Sequence, residues 1–219
     1  MKAISDALLY GILDLGYVEL SQLEHVTVRL LEGGVDILQL RAKGFDEEVI
    51  EACARRVVSL TEEAGIPLIL NDHPELVPSM GAQGAHVGQD DFTVADARWR
   101  AGRALAGEVA LPLIGKSTHS LAQALDAVEQ GADYIGFGPL FSTPTKPGRP
   151  AIGLADIAEV HSNVSLPIFC IGGIKRENLE QVLDAGAKRV VVVSGILQAA
   201  DISGYCREIK AELQARQSK

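Results

Sequence analysis

Four segments of the chain share one pattern, a glycine followed by a short apolar run. They are Gly34-Val35-Asp36-Ile37-Leu38-Gln39-Leu40, Gly81-Ala82-Gln83-Gly84-Ala85-His86-Val87, Gly131-Ala132-Asp133-Tyr134-Ile135-Gly136-Phe137 and Gly186-Ala187-Lys188-Arg189-Val190-Val191-Val192. Between them lie runs that open on proline: Pro67-Leu68-Ile69-Leu70, Pro112-Leu113-Ile114-Gly115 and Pro167-Ile168-Phe169-Cys170-Ile171. Glycine suits the cap at which a helix turns into a strand, and proline suits the first position of a strand. Apolar residues at three- and four-residue spacing fill the intervals, most clearly over 46–65, 120–131 and 175–186, each of which ends on glycine. With 9–13 as the first strand, the alternation predicts eight strands, each followed by a helix or a short helical turn. Strands this short and apolar, separated by helices, read as parallel and covered on both faces. Eight such units predict a (β/α)₈ barrel. The 219 residues leave roughly 27 per unit, so the barrel takes all of 1–219 as one domain.

Chemistry in such a barrel sits at the C-terminal ends of the strands. After strand two, Gln39, Arg41 and Lys43 alternate with Leu40 and Ala42, and period-two spacing predicts that all three face the barrel mouth. Ile37 on the same face belongs to the core, so fixed cations beside it call for an anion; a solvated strand end is the alternative. Strand three ends in Asn71-Asp72, and strand four runs into Gln89-Asp90-Asp91. Carboxylates closing adjacent strands suit one shared Mg²⁺, which takes one or two carboxylates together with water and phosphate oxygens. Capping of the helix that begins near Thr93 is the competing role for Asp90 or Asp91, and it leaves Asp72 unexplained. His86, inside strand four, reads as a core histidine.

Strand five delivers Lys116-Ser117-Thr118-His119, where one hydroxyl suits a helix N-cap as well as a ligand. The irregular stretch 141–152 after strand six is long enough to be functional. Its Thr143-Pro144-Thr145-Lys146 brings two hydroxyls and an ammonium, donors suited to a diphosphate. Ile171-Gly172-Gly173-Ile174 and Ser194-Gly195-Ile196-Leu197 follow strands seven and eight, where this fold builds a phosphate cradle from backbone N–H groups and a helix N-terminus. Two anion sites result: a metal-dependent, cationic one near strands two, three, four and six, and a backbone-built one at strands seven and eight.

Composition narrows the partners. A net charge of −9, from 29 acidic and 20 basic residues, argues against nucleic acid or an anionic membrane. An anionic substrate has to be drawn in by a local cluster. The apolar run 190–193 is too short to span a bilayer. The stretch 7–13 is bracketed by Asp6 and Asp14 with no cleavage pattern after it, which does not read as a signal peptide. Cys53, Cys170 and Cys206 show neither disulfide nor zinc spacing and are expected as buried thiols in a reducing cytoplasm.

Taken in order, several motifs together resemble the thiamine phosphate synthase family. They are Gln39-Leu40-Arg41-Ala42-Lys43, Asn71-Asp72, His86-Val87-Gly88-Gln89-Asp90-Asp91, Ser117-Thr118-His119-Ser120, Gly138-Pro139-Leu140-Phe141-Ser142-Thr143-Pro144-Thr145-Lys146, Ile171-Gly172-Gly173-Ile174 and Val193-Ser194-Gly195-Ile196. The resemblance implies a transferase in which diphosphate leaves a hydroxymethylpyrimidine diphosphate and the nitrogen of a thiazole phosphate attacks the resulting cation. It further implies Mg²⁺ on Asp72 and Asp91. The pyrimidine diphosphate falls to Gln39, Arg41, Lys43, Asn71, Ser117 and Lys146, with Arg41, Lys43, Ser117 and Lys146 acting in catalysis. The thiazole phosphate falls to Thr143, Thr145, Gly173, Val193 and Ser194. Lys116, Asp90, His73 and Gly195 depart from the family's usual residues without removing any of these ligands. Two alternatives stand beside this expectation. A sister group of thiazole tautomerases uses a histidine after strand five, a place His119 fills. A non-catalytic phosphate- or thiamine-binding barrel is expected to lose a metal carboxylate or Lys146, and both are kept here.

Overall fold

The computed structural model describes residues 3–102, 111–143 and 150–217. Eight parallel strands close into a barrel in sequence order: β1 (Leu9–Asp14), β2 (Ile37–Arg41), β3 (Leu68–Asn71), β4 (Gly84–Val87), β5 (Leu113–Thr118), β6 (Tyr134–Phe137), β7 (Ile168–Cys170) and β8 (Val190–Val192). Outside them run α1 (Leu23–Glu32), α2 (Glu47–Glu63), α3 (Val77–Met80), α4 (Val94–Gly102), α5 (Leu121–Glu129), α6 (Ile157–Asn163), α7 (Arg176–Asp184), α8 (Ser194–Leu197) and α9 (Ile202–Gln217). The barrel is the expected one.

Strand periodicity divides the apolar residues into two cores. Leu38, Leu40, Leu68, Leu70, Ala85, Val87, Ile114 and Ile135 face outward and pack beneath the helices. The alternate positions turn inward, where Tyr10, Ile12, Ile37, Ile69, Tyr134, Phe169 and Val191 fill the barrel and Ile4 and Ala7 plug its lower end. The helices bury matching stripes; in α2 these are Ile50, Cys53, Ala54, Val57 and Thr61. All three cysteines are buried free thiols.

The recurrent glycine segments have a mechanical meaning. Gly34, Gly81, Gly131 and Gly186 all hold positive φ, between 69° and 106°, which a side chain would strain. Two residues on, in three of the four repeats, a side chain accepts a backbone N–H at the start of the preceding strand. Asp36 takes the N–H groups of Leu8 and Leu9 at 2.8 and 3.0 Å, Gln83 that of Leu68 at 2.8 Å, and Asp133 that of Ile114 at 2.7 Å. Each staple satisfies a donor at the bottom of the barrel that the ladder leaves over. In the fourth repeat the position is Lys188, which cannot accept.

Helix α9 is an addition to the sequence reading. It packs on α1 and α7 through Tyr205, Cys206, Ile209 and Leu213 and covers the seam where β8 meets β1.

Candidate active site

A cavity opens at the C-terminal end of the barrel, and its walls differ in chemistry. One wall carries Gln39 and Arg41 from β2, Asn71 from β3, His86 from β4 and Ser117 from β5, with His119 just beyond. The opposite wall is Ile171, Gly172, Gly173, Val193 and Ser194, from the loops after β7 and β8, with Thr143 at the edge. Tyr10, Tyr134 and Phe169 form the floor.

On β2 the expectation of three side chains facing one way holds for two. Gln39 and Arg41 line the cavity, but the strand ends at Arg41 and the chain turns through Gly44 at φ +85°. Lys43 therefore lies beyond the pleat, exposed and away from the cavity lining. Nor does Arg41 depend on an external anion for its charge partner. Asp14, the inward residue paired with Arg41 in the ladder, supplies one, with Oδ2 2.7 Å from Nη1 of Arg41. The second oxygen of Asp14 accepts the N–H of Gly16 at 3.0 Å, which fixes the carboxylate.

Gly115, at an inward position of β5, makes room at the centre. A Cβ at Gly115 would stand 2.2 Å from the Tyr134 ring and 2.5 Å from Nδ1 of His86. The ring of His86 is thereby free to reach across β5, where Nε2 lies 3.0 Å from Oγ of Ser117 and Nδ1 3.3 Å from the hydroxyl of Tyr134. His86 is thus part of the cavity wall as well as of the core. Neither Ser117 nor Thr118 caps α5. Ser120 does, accepting the N–H of Gln123, while Thr118 donates to the carbonyl of Gly136. The imidazole of His119 donates from Nδ1 to the carbonyl of Gly138, which fixes its ring at the rim.

Asp72 and Asp91 do not line the cavity; they close β3 and β4 beside it. Asp72 sits at φ +64°, a left-handed conformation that is rare without glycine, and its N–H donates to the carbonyl of His86 at 2.9 Å. Asp91 accepts the N–H of Gly88 at 2.8 Å through Oδ2. Helix α4 is capped by Thr93, which accepts from the Asp96 N–H at 3.1 Å and donates to its carboxylate at 2.7 Å. Capping therefore explains neither aspartate. Two carboxylates on adjacent strand ends, one in a strained backbone, are a donor set that fits a single hard cation. Among the described residues there is no cluster of three or more metal-ligating side chains, so such an ion would draw its remaining ligands from substrate and water.

Lys116 departs from expectation in a useful way. It faces outward from β5, is 3% exposed, and donates to the carbonyls of Gly88 and Phe92 at 2.8 and 2.7 Å. It ties down both ends of the turn that carries Gln89, Asp90 and Asp91. Burial lowers the pKa of its ammonium.

The loops after β7 and β8 both reach the cavity wall, but their glycines answer to protein neighbours. A Cβ on Gly172 would meet Pro139 at 2.4 Å, one on Gly173 would meet Phe141 at 2.7 Å, and one on Gly195 would meet the Tyr205 hydroxyl at 2.9 Å. The close approach they permit is of the loop after β6, whose Leu140 and Phe141 N–H groups donate to the carbonyls of Ile171 and Gly172. Ser194 opens α8, and Val193 stands at its N-cap with no side chain able to cap. The Ile196 N–H donates to the Val193 carbonyl, and the N–H groups at a helix start before that point have no acceptor within the helix. The base of loop 141–152 is pinned, because Ile152 and Gly153 donate to the carbonyls of Pro139 and Leu140. Thr145 and Lys146 lie outside the described residues.

Tyr10, Asp14 and Tyr134 were not singled out from the sequence. β1 runs one residue past the expected 9–13 and ends on Asp14, and Tyr10, Ile12 and Asp14 share the period that marks Gln39 and Arg41.

Comparison with known proteins agrees with this geometry. A thiamine-phosphate synthase of Thermus thermophilus is 45% identical over 188 residues, 85% of this chain and 87% of that protein. That of Chloroflexus aurantiacus is 38% identical over 217 residues, 99% of this chain and 97% of the relative. Thiamine phosphate pyrophosphorylase from Pyrococcus furiosus superposes with a TM-score of 0.85 at 26% identity, covering 97% of this chain and 98% of the other. The profile of thiamine monophosphate synthase matches residues 9–196, spanning every strand and the cavity they enclose, and the chain belongs to that family.

Proposed function

We propose that the chain is a transferase that joins 4-amino-2-methyl-5-hydroxymethylpyrimidine diphosphate to a thiazole phosphate, releasing pyrophosphate and thiamine phosphate. The observation that carries this reading is the two-walled cavity: side-chain donors and acceptors on β2–β5 face the glycine-rich loop after β7 and the start of α8 after β8.

On this reading the pyrimidine diphosphate occupies the first wall. Gln39, Asn71 and Ser117 hold the ring, and Arg41 and Lys146 carry the diphosphate. Charge builds on the leaving diphosphate as its bond to the pyrimidine methylene lengthens, and fixed cations there stabilise the transition state more than the ground state. Arg41 suits this because Asp14 holds one edge of its guanidinium in place. The thiazole phosphate sits opposite, with its phosphate at Ser194, Val193 and Gly173 and its edge against Thr143 and Thr145. This orients the thiazole nitrogen toward the cationic methylene, and the packed aromatic floor excludes the water that would otherwise capture it. Asp72 and Asp91 would hold Mg²⁺, which supplies charge neutralisation for the departing diphosphate.

The test is incubation of the purified chain with both substrates, with Mg²⁺ or with EDTA, following products by mass spectrometry. Equimolar thiamine phosphate and pyrophosphate with Mg²⁺ support the reading. A change in the thiazole phosphate alone, unaffected by EDTA, would instead assign the chain to the tautomerases through His119.

A further inference from the structure

The floor of the cavity contains a continuous run of hydrogen bonds that crosses the barrel. Nε2 of Gln39 donates to the hydroxyl of Tyr10 at 2.8 Å, and the hydroxyls of Tyr10 and Tyr134 lie 3.0 Å apart. The Tyr134 hydroxyl is 3.3 Å from Nδ1 of His86, and Nε2 of His86 is 3.0 Å from Oγ of Ser117. Packing holds the members in place. Tyr10 and Tyr134 are 2% and 0% exposed, and both rings meet Phe169 edge-on with centroids 5.4 and 5.7 Å away. The missing Cβ of Gly115 gives the Tyr134 ring its position. Burial raises the pKa of both tyrosines, so each acts as a neutral hydroxyl with one proton to give.

A hydroxyl that accepts one bond in such a run passes its own proton onward, so the run has a single direction. An amide nitrogen can only donate, which sets that direction at Gln39. The Tyr10 proton then goes to Tyr134, the Tyr134 proton to Nδ1 of His86, and the imidazole is left with its proton on Nε2, which it gives to Ser117. At the two ends, Gln39 is left with its carbonyl oxygen and Ser117 with its hydroxyl proton. Reversing the Gln39 amide would reverse every member at once.

We infer that Tyr10 and Tyr134 are positioning residues that lock Gln39, His86 and Ser117 into one hydrogen-bond direction, so that the cavity floor presents an acceptor at β2 and a donor at β5. The ligand this selects is a heteroaromatic ring with an amino group on one side and a bare ring nitrogen on the other. An aminopyrimidine has both. Its oxo counterpart puts a carbonyl where the amino group stands and meets acceptor against acceptor at β2. The identity of the ring rests on the function proposed above; the direction of the run does not.

Nitrogen NMR of His86 in the uncomplexed protein reads the direction without substrate. The expected result is a neutral imidazole protonated at Nε2. Tyr10→Phe removes a hydroxyl that does not touch His86, and it should convert that single tautomer to a mixture; Tyr134→Phe should do the same and serves if the first variant does not fold. A His86 protonated at Nδ1 or at both nitrogens, or a tautomer unchanged in the folded variants, would overturn the inference. Turnover then tests the ring. The preference for the aminopyrimidine diphosphate over its oxo analogue should fall by about tenfold or more in either variant, the loss of roughly one buried hydrogen bond. Equal losses on both analogues would show that the tyrosines merely support the fold. If the tautomers behave as expected but neither pyrimidine reacts, the direction stands and the substrate assignment falls.

Discussion

Arg41 and Asp14 form a buried ion pair across the first two strands, with Nη1 2.7 Å from Oδ2 and the two residues 9% and 2% exposed. The pair makes the guanidinium affordable at the edge of an apolar barrel and aims it. Removing one partner strands the other. Asp14→Ala should therefore cost about 3–5 kcal/mol of stability, read by urea unfolding. It should also lower kcat, because Arg41 loses its fixed orientation. A variant of unchanged stability would mean that the pair is solvated and contributes little.

The proposed Mg²⁺ role of Asp72 and Asp91 is tested by metal removal. EDTA should abolish turnover and added Mg²⁺ restore it. Asp72→Asn and Asp91→Asn should each slow the reaction on the order of 100-fold or more, measured at saturating substrate. Full activity in EDTA would remove the metal from the account.

Lys116 predicts a local effect. Lys116→Ala leaves the carbonyls of Gly88 and Phe92 without their buried donor, at a cost of about 1–3 kcal/mol for each unsatisfied group. Hydrogen exchange should rise first in the amides of 88–92, and the Mg²⁺ concentration needed for half-maximal rate should rise with it. Unaltered exchange there would show that the turn holds without the lysine.

Gly173→Val is expected to damage the fold of two loops before it damages binding. Its Cβ would meet Phe141 at 2.7 Å, and φ is +67°. The expected result is a lower Tm together with weakened binding of both substrates. Intact stability with selective loss of thiazole phosphate would show that the phosphate, rather than Phe141, is the close neighbour.

Much of this architecture was legible because period and punctuation coincide. The positive-φ glycines 34, 81, 131 and 186 and the proline-led runs mark the strands in order, and the residues just beyond them form the mouth. What remained hidden is pairing between elements distant in sequence. Nothing local to Asp14 states that Arg41 lies opposite it, or that Tyr10 and Tyr134, 124 positions apart, share a hydrogen bond. For the same reason His86 looked like a core residue. Gly115 and Gly173 carry no sign of the Tyr134 ring or of Phe141, the neighbours that require them to be glycine. Lys43 leaves the period for a local reason, since β2 stops at Arg41 and the chain turns at Gly44.

The division of one cavity into a pyrimidine diphosphate wall and a thiazole phosphate wall is tested most directly by a reciprocal pair of variants, Arg41→Ala and Ser194→Ala, with both substrates titrated on folded protein. Arg41→Ala should lower kcat with little change in the KM for thiazole phosphate. Ser194→Ala should weaken thiazole phosphate by about 1.5–3 kcal/mol, the value of a hydrogen bond to a charged group, and leave pyrimidine diphosphate affinity intact. Parallel losses of both affinities in both variants would contradict the division.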